Sequence, residues 1–104
     1  MSGVKRLTPA VPGEAAPFLW LDGKVRTGFV SDGQVSSGSF PRWALECFGT
    51  KSHWFINLTG TDDKRSACGR LFAVPHMLFA PGNYPRCKAC ERIVSADLRR
   101  RAGL

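Results

Sequence analysis

Long apolar runs are missing from this 104-residue chain. No stretch approaches the roughly 18 apolar residues that a membrane-spanning helix requires, so no membrane partner is expected. The opening residues Lys5-Arg6-Leu7-Thr8-Pro9 have no apolar run behind their charges. They do not read as a secretory leader, and a cytoplasmic location is the expectation. No Gly-x-x-x-x-Gly-Lys-Ser/Thr loop is present to cradle a nucleotide's phosphates. Ser36, Ser37 and Ser39 stand without an evident base, which argues against a serine nucleophile. Acidic residues are few, eight Asp/Glu against 15 Lys/Arg, giving a formal charge of +7. Cysteine is scarce too, with four residues at positions 47, 68, 87 and 90. Two disulfides are one use for them, but where thiols stay reduced, closely spaced cysteines more often hold a metal or do redox work.

What is present suits one small domain. Hydrophobic residues make up 43% of the chain, enough for a thin core that would profit from a metal staple. The charge is lopsided. Residues 1–46 carry five Lys/Arg against four Asp/Glu, whereas residues 47–104 carry ten against four. A basic field of this kind favours a polyanion or an acidic protein face.

Residues 1–17 contain Pro9, Pro12 and Pro17, lack periodicity and read as a flexible arm. Residues 18–104 read as a single metal-binding domain, with a β-meander over 18–49 and a metal module over 50–104. Asp22-Gly23 between β-prone runs predicts a hairpin with a type I′ turn. Asp32-Gly33 repeats the chemistry, and residues 34–40 are expected as a weak third strand or edge. Residues 40–48 suit either a short helix opened by Pro41 or a strand. Residues 53–58 read as a strand, 59–64 as a polar turn, and 67–74 as a tight turn followed by a strand. Residues 90–102 read as a helix with Cys90, Ile93, Val94 and Leu98 on one face and Arg92, Ala96 and Arg99 on another. Asp97 and Arg101 stand four apart with the acid first.

Cys87-Lys88-Ala89-Cys90 is the strongest single motif, because a tight turn can aim both thiolates at one ion. His53 and Cys68 can complete a tetrahedral set, with 14, 18 and 2 residues between successive members. Gly69 after Cys68 would let the backbone curl so that amides point at the sulfur. Cys47 and His76 compete with His53 for the fourth place. Three thiolates and a neutral imidazole around Zn²⁺ would leave a net charge of −1, which Arg70, Arg86 and Lys88 could balance.

These residues resemble a family. His53-Trp54, the Asp62-Asp63 turn, Ala67-Cys68-Gly69-Arg70 and Cys87-Lys88-Ala89-Cys90-Glu91-Arg92-Ile93 together are similar to the small zinc-finger proteins of actinobacteria and bacteriophages. Those proteins use one His and three Cys, often in short accessory or regulatory proteins. The resemblance spans about residues 50–96. It implies ligation of a structural zinc by His53, Cys68, Cys87 and Cys90, and it implies that Cys47 stays out.

Catalysis is not expected. A catalytic zinc keeps an open position, whereas four protein ligands close this one. The zinc-deaminase pattern needs His-x-Glu, and here the third residue of His53-Trp54-Phe55 is aromatic. A thioredoxin-like reading of the CxxC lacks its βαβ setting. The expectation is therefore a mostly β α+β protein: an N-terminal antiparallel meander, a zinc-stapled hairpin and a short C-terminal helix. Its expected partner is nucleic acid, DNA ahead of RNA, met by Arg86, Lys88, Arg92, Arg99, Arg100 and Arg101. Trp20, Trp43 and Trp54 could stack bases but are better spent on core packing. The alternative is an interaction module that binds an acidic protein partner and inhibits or redirects a host enzyme, with an edge near residues 34–39 open to strand addition.

Overall fold

The computed structural model describes residues 4–103. Two antiparallel sheets and one α-helix make up its regular structure, the mostly β, α+β class expected. The first sheet contains β1 (Lys5–Arg6), β2 (Ala16–Leu19) and β3 (Val25–Gly28) in that order. Phe18 is its buried anchor.

The meander exists, but it is displaced by one strand. Residues 34–40 do not supply its third member. Gln34 makes a lone bridge to Phe79, and Ser37–Ser39 form a turn of 3₁₀-helix. Serine and glycine there offer little to pack, so no strand is stabilised. The third strand comes instead from the stretch expected as a loose arm. Lys5 lies opposite Leu19 and Arg6 opposite Phe18. Arg6 is further tied to Asp32 by a 2.6 Å ion pair.

The β2–β3 turn also departs from the expected type. Gly23 donates its N–H to the Trp20 carbonyl (3.0 Å), and Trp20 donates to Lys24 (2.9 Å). Gly23 has φ +81°, while Asp22 is not left-handed. This is a type I turn closed by a glycine bulge rather than type I′. Asp22 keeps its backbone ordinary because its carboxylate caps the loop. One oxygen accepts the Lys24 N–H and the other pairs with Arg26. The Lys24 amide first, and Arg26 after it, hold that carboxyl below its usual pKa.

The second sheet runs β7-β6-β5-β4-β8, with β4 (Arg42–Glu46), β5 (Ser52–Asn57), β6 (Lys64–Ser66), β7 (Phe72–Ala73) and β8 (Leu78–Phe79). Residues 42–46 are thus a strand, and the expected division at residue 49 falls inside the β4–β5 hairpin. Period-two alternation sorts β5 cleanly. His53 and Phe55 point to one face, where Phe55 joins Val35, Phe40, Ala44 and Leu78 in the core. Trp54 and Ile56 point to the other. Trp54 lies opposite Trp43 of β4, the two rings meeting edge to face at 5.8 Å.

Asn83 joins the sheets. Its amide oxygen accepts the Val30 N–H (2.8 Å), and its amide nitrogen donates to the carbonyls of Glu14 (2.8 Å) and Gly28 (2.9 Å). Its own carbonyl accepts the Gly13 N–H. Gly82 beside it, with φ +53°, has no room for a side chain, since a Cβ would meet the Val30 carbonyl oxygen. The helix, α1 (Lys88–Arg101), follows this loop and ends at Gly103 with φ +76°. Among the described residues no helix is long and apolar enough to cross a membrane.

Candidate metal centre

Three separate pieces of chain converge at one end of the second sheet. β5 supplies His53, because pairing with Ala44 on one side fixes its position and burial turns it inward. The turn after β6 supplies Cys68. There Ala67 donates its N–H to Trp54 (2.6 Å) and Gly69 donates to Ser66 (2.9 Å). Gly69 takes φ +78°, which lets the turn reverse within two residues. The loop before α1 supplies the pair. Ser52 donates to the Pro85 carbonyl and Cys87 donates back to the Ser52 carbonyl, both at 2.8 Å. This parallel bridge sets Arg86 opposite Ser52, and so brings Cys87 level with His53. The first turn of α1 then brings Cys90 back to the same point.

The result is a compact His/Cys₃ cluster. One ligand atom from each of His53, Cys68, Cys87 and Cys90 lies within 4.8 Å of every other. The His53 Nδ1 is 3.8 Å from both the Cys68 and Cys90 sulfurs, so Nδ1 is the nitrogen that faces the centre. All four cysteines are free thiols, with no disulfide among them. The cluster can hold a metal ion. Cys47 and His76, the rivals for the fourth position, are not in it. Cys47 sits in the β4–β5 turn, its N–H donating to Met77, and His76 is exposed in the short 3₁₀-turn Pro75–Met77.

The electrostatics prepare these groups unequally. Burial first, and then the charges of Lys51 and Arg70, lower the His53 pKa and keep its imidazole neutral, the form that binds metals. At Cys68 burial pushes upward, but hydrogen bonds from the Ser66 hydroxyl and the Arg70 amide outweigh it, and the net shift is down. The curl at Gly69 thus does aim an amide at the sulfur. Cys90 is pushed up to about 11, mainly by burial, although the Trp54 and Cys68 amides oppose this. Without a cation beside it, Cys90 remains a thiol.

Ser66 was not legible as part of the site. Its hydroxyl lies 3.3 Å from the Cys68 sulfur and accepts the Leu71 N–H (3.1 Å), so it braces both the ligand and the turn. Its position two residues before the Cys-Gly pair is the only signal the sequence carries.

No protein-family model, curated protein or solved structure matches this chain.

The candidate nucleic-acid residues are spread along the helix and the loop before it. Lys88, Arg92 and Arg99 are exposed. Arg100 and Arg101 are exposed and both pair with Asp97, at 3.1 and 3.0 Å. Arg86 is half-buried, its guanidinium 4.6 Å above the Trp43 ring. The apolar face of α1 is covered only at its start. Cys90 is fully buried, but Ile93 is 44% exposed and Leu98 60%. Between this face and Trp43, Trp54 and Ile56 runs an open groove of about 690 Å³. The tryptophans of the second sheet therefore line a surface groove instead of filling the core. Trp20 is exposed, with Arg26 over its ring at 5.7 Å.

Proposed function

We propose that this chain is a small zinc-dependent nucleic-acid-binding protein of accessory or regulatory type, with the metal in a structural role. The observation that carries the reading is the four-ligand cluster at the root of an arginine-bearing helix. The donor set supports zinc, since three sulfurs and one imidazole nitrogen suit a borderline-soft, tetrahedral ion. Bonds of about 2.3 Å to sulfur and 2.0–2.1 Å to nitrogen imply ligand–ligand edges of about 3.6–3.8 Å. The two His53–sulfur distances of 3.8 Å lie close to that, and the other pairs, all within 4.8 Å, would close by up to about 1 Å around the ion. Four protein ligands leave no open position for substrate, which supports a structural over a catalytic ion.

The metal would fix the start of α1 against β5, and α1 would then present Lys88, Arg92 and Arg99 to phosphates. Arg100 and Arg101 would join them by exchanging Asp97 for phosphate, because exposed ion pairs of this kind are worth little. The test is a titration of DNA and RNA at two salt concentrations. Affinity should fall steeply with salt and weaken further when Arg92 and Arg99 become alanine. A salt-independent or undetectable interaction would refute the reading.

One observation favours a second reading. The groove beneath α1 is bordered by Trp54, Ile56, Val94 and Leu98, an aliphatic and aromatic lining that suits an apolar side chain of a protein partner. That partner would dock on this groove and not at residues 34–39, which offer no strand edge. Binding that survives high salt and is lost on Leu98→Glu would favour this reading.

A further inference from the structure

The β4–β5 turn places an aromatic residue where backbone sterics discourage one. Gly49 donates its N–H to the Glu46 carbonyl (2.7 Å), closing a β-turn whose central residues are Cys47 and Phe48. Phe48 has φ +62° and Cys47 does not share that sign. A negative then a positive φ is the type II pattern, whose third position selects glycine or asparagine. The left-handed region costs a bulky L-residue roughly 1–2 kcal/mol. The ring recovers none of that inside the chain, for Phe48 is 100% exposed. A strained backbone supporting a fully solvated phenyl ring is doubly unfavourable for the isolated protein. Backbone outliers of this kind cluster at binding sites, which makes the turn a candidate for one.

The surroundings indicate what it would bind. The turn lies at the end of the sheet where β5 begins, and so at the metal-site end. The Cys68-Gly69-Arg70 turn and the first residues of α1 lie at the same end, brought there by the four-ligand cluster. Lys51, Arg70 and Lys88 are exposed on these three segments. The carboxylates on the same segments are Glu46, half-buried, and Glu91, exposed. Exposed cations therefore outnumber the exposed acid three to one. A solvated aromatic ring at the same end of the sheet as exposed cations is an arrangement that suits single-stranded nucleic acids. The ring stacks on a base, and the cations take the flanking phosphates. A protein pocket would suit the ring alone but would leave the cations without a role.

We propose that Phe48 is a stacking platform for an unpaired base of a single-stranded nucleic acid, with Lys51, Arg70 and Lys88 contacting the adjoining phosphates. The inference rests on the nucleic-acid reading above. It adds the end of the molecule that engages and the strand state that it selects.

The experiment is an anisotropy titration of labelled oligo-dT, oligo-U and a duplex of equal length, with metal content measured on every variant. Phe48→Gly should lose about tenfold to a hundredfold in single-strand affinity, the range set by one stacked base. Its duplex affinity and metal content should not change. Its melting temperature should rise, because glycine relieves the left-handed strain, so loss of binding cannot be ascribed to misfolding. Phe48→Trp should keep single-strand affinity. Phe48→Gly binding the single strands as tightly as the native chain would overturn the inference. If Arg92→Ala/Arg99→Ala weakens binding in that same experiment, the nucleic-acid reading stands and only the role of Phe48 falls. If the native chain binds none of the three probes, both fall together.

Discussion

Replacing Asn83 with alanine tests whether the two sheets form one cooperative unit. The side chain is fully enclosed, and its three hydrogen bonds run to Val30, Glu14 and Gly28. Alanine would strand one backbone N–H and two carbonyls. Each buried group left without a partner costs about 1–3 kcal/mol, although carbonyls with a second lone pair in use suffer less. With some relief from entering water, the expected loss is about 2–4 kcal/mol. For a domain of this size that is a fall in melting temperature of roughly 8–32 °C, at 4–8 °C per kcal/mol. Thermal unfolding followed by circular dichroism measures it. Asn83→Asp is the sharper control. It keeps an acceptor for Val30 but replaces the donor with a carboxylate facing two carbonyls, so it should be at least as damaging. If Asn83→Ala lost under about 0.5 kcal/mol, the typical scatter of a surface change, the junction would not run through this side chain.

The metal centre yields further expectations. His53→Ala and Cys68→Ser should lose bound metal, while Cys47→Ala and His76→Ala should retain it, as read by elemental analysis of purified variants. Loading the metal at neutral pH should release protons, the Cys90 proton among them because that thiol is otherwise held to about 11. Calorimetry in buffers of different ionisation enthalpy counts them, and a count of zero would contradict thiolate ligation. The sign for acid is equally fixed. Protons compete with the metal for sulfur and for the imidazole, so the bound fraction should hold above neutrality and fall as pH falls. The lowered pKa of His53 delays protonation of that ligand to below its ordinary value of 6.5. Gly69→Ala should cost only about 1 kcal/mol, because φ +78° is strained for alanine but the site has open space. Gly82→Ala should cost more in the same melts, because its Cβ would collide with the Val30 carbonyl.

The four-residue cluster was legible because coordination chemistry constrains residue type and spacing together. A CxxC, a Cys-Gly turn and a strand-borne His pointed to this set with Cys47 and His76 as rivals, and the structure leaves both rivals outside the cluster. Strand β5 was legible from its aromatic and β-branched run, and α1 from its spacing and terminal glycine. The losses share a cause. β1 is two charged residues long and β6 is Lys64-Arg65-Ser66, neither with an apolar alternation to announce it. Both are strands because of what they pair with. Lys64 is buried by tertiary context, its Nζ donating to Asn57 (2.8 Å) and lying 5.2 Å from the Phe40 ring. The shared face of Cys90, Ile93, Val94 and Leu98 was legible, but its exposure was not, because periodicity reports amphipathicity and not whether a partner surface lies close enough to cover it. Asn83 carried no signal beyond its place in a Pro-Gly-Asn turn, since its partners are more than 50 residues away.

The account turns on a metal ion joining β5, the β6–β7 turn and α1. Elemental analysis of the native protein, followed by circular dichroism during titration with a strong chelator, tests that most directly. One zinc per chain and loss of ordered structure as the zinc is withdrawn are the predicted results. A metal-free preparation that keeps the same fold and melting temperature before and after chelation would contradict it.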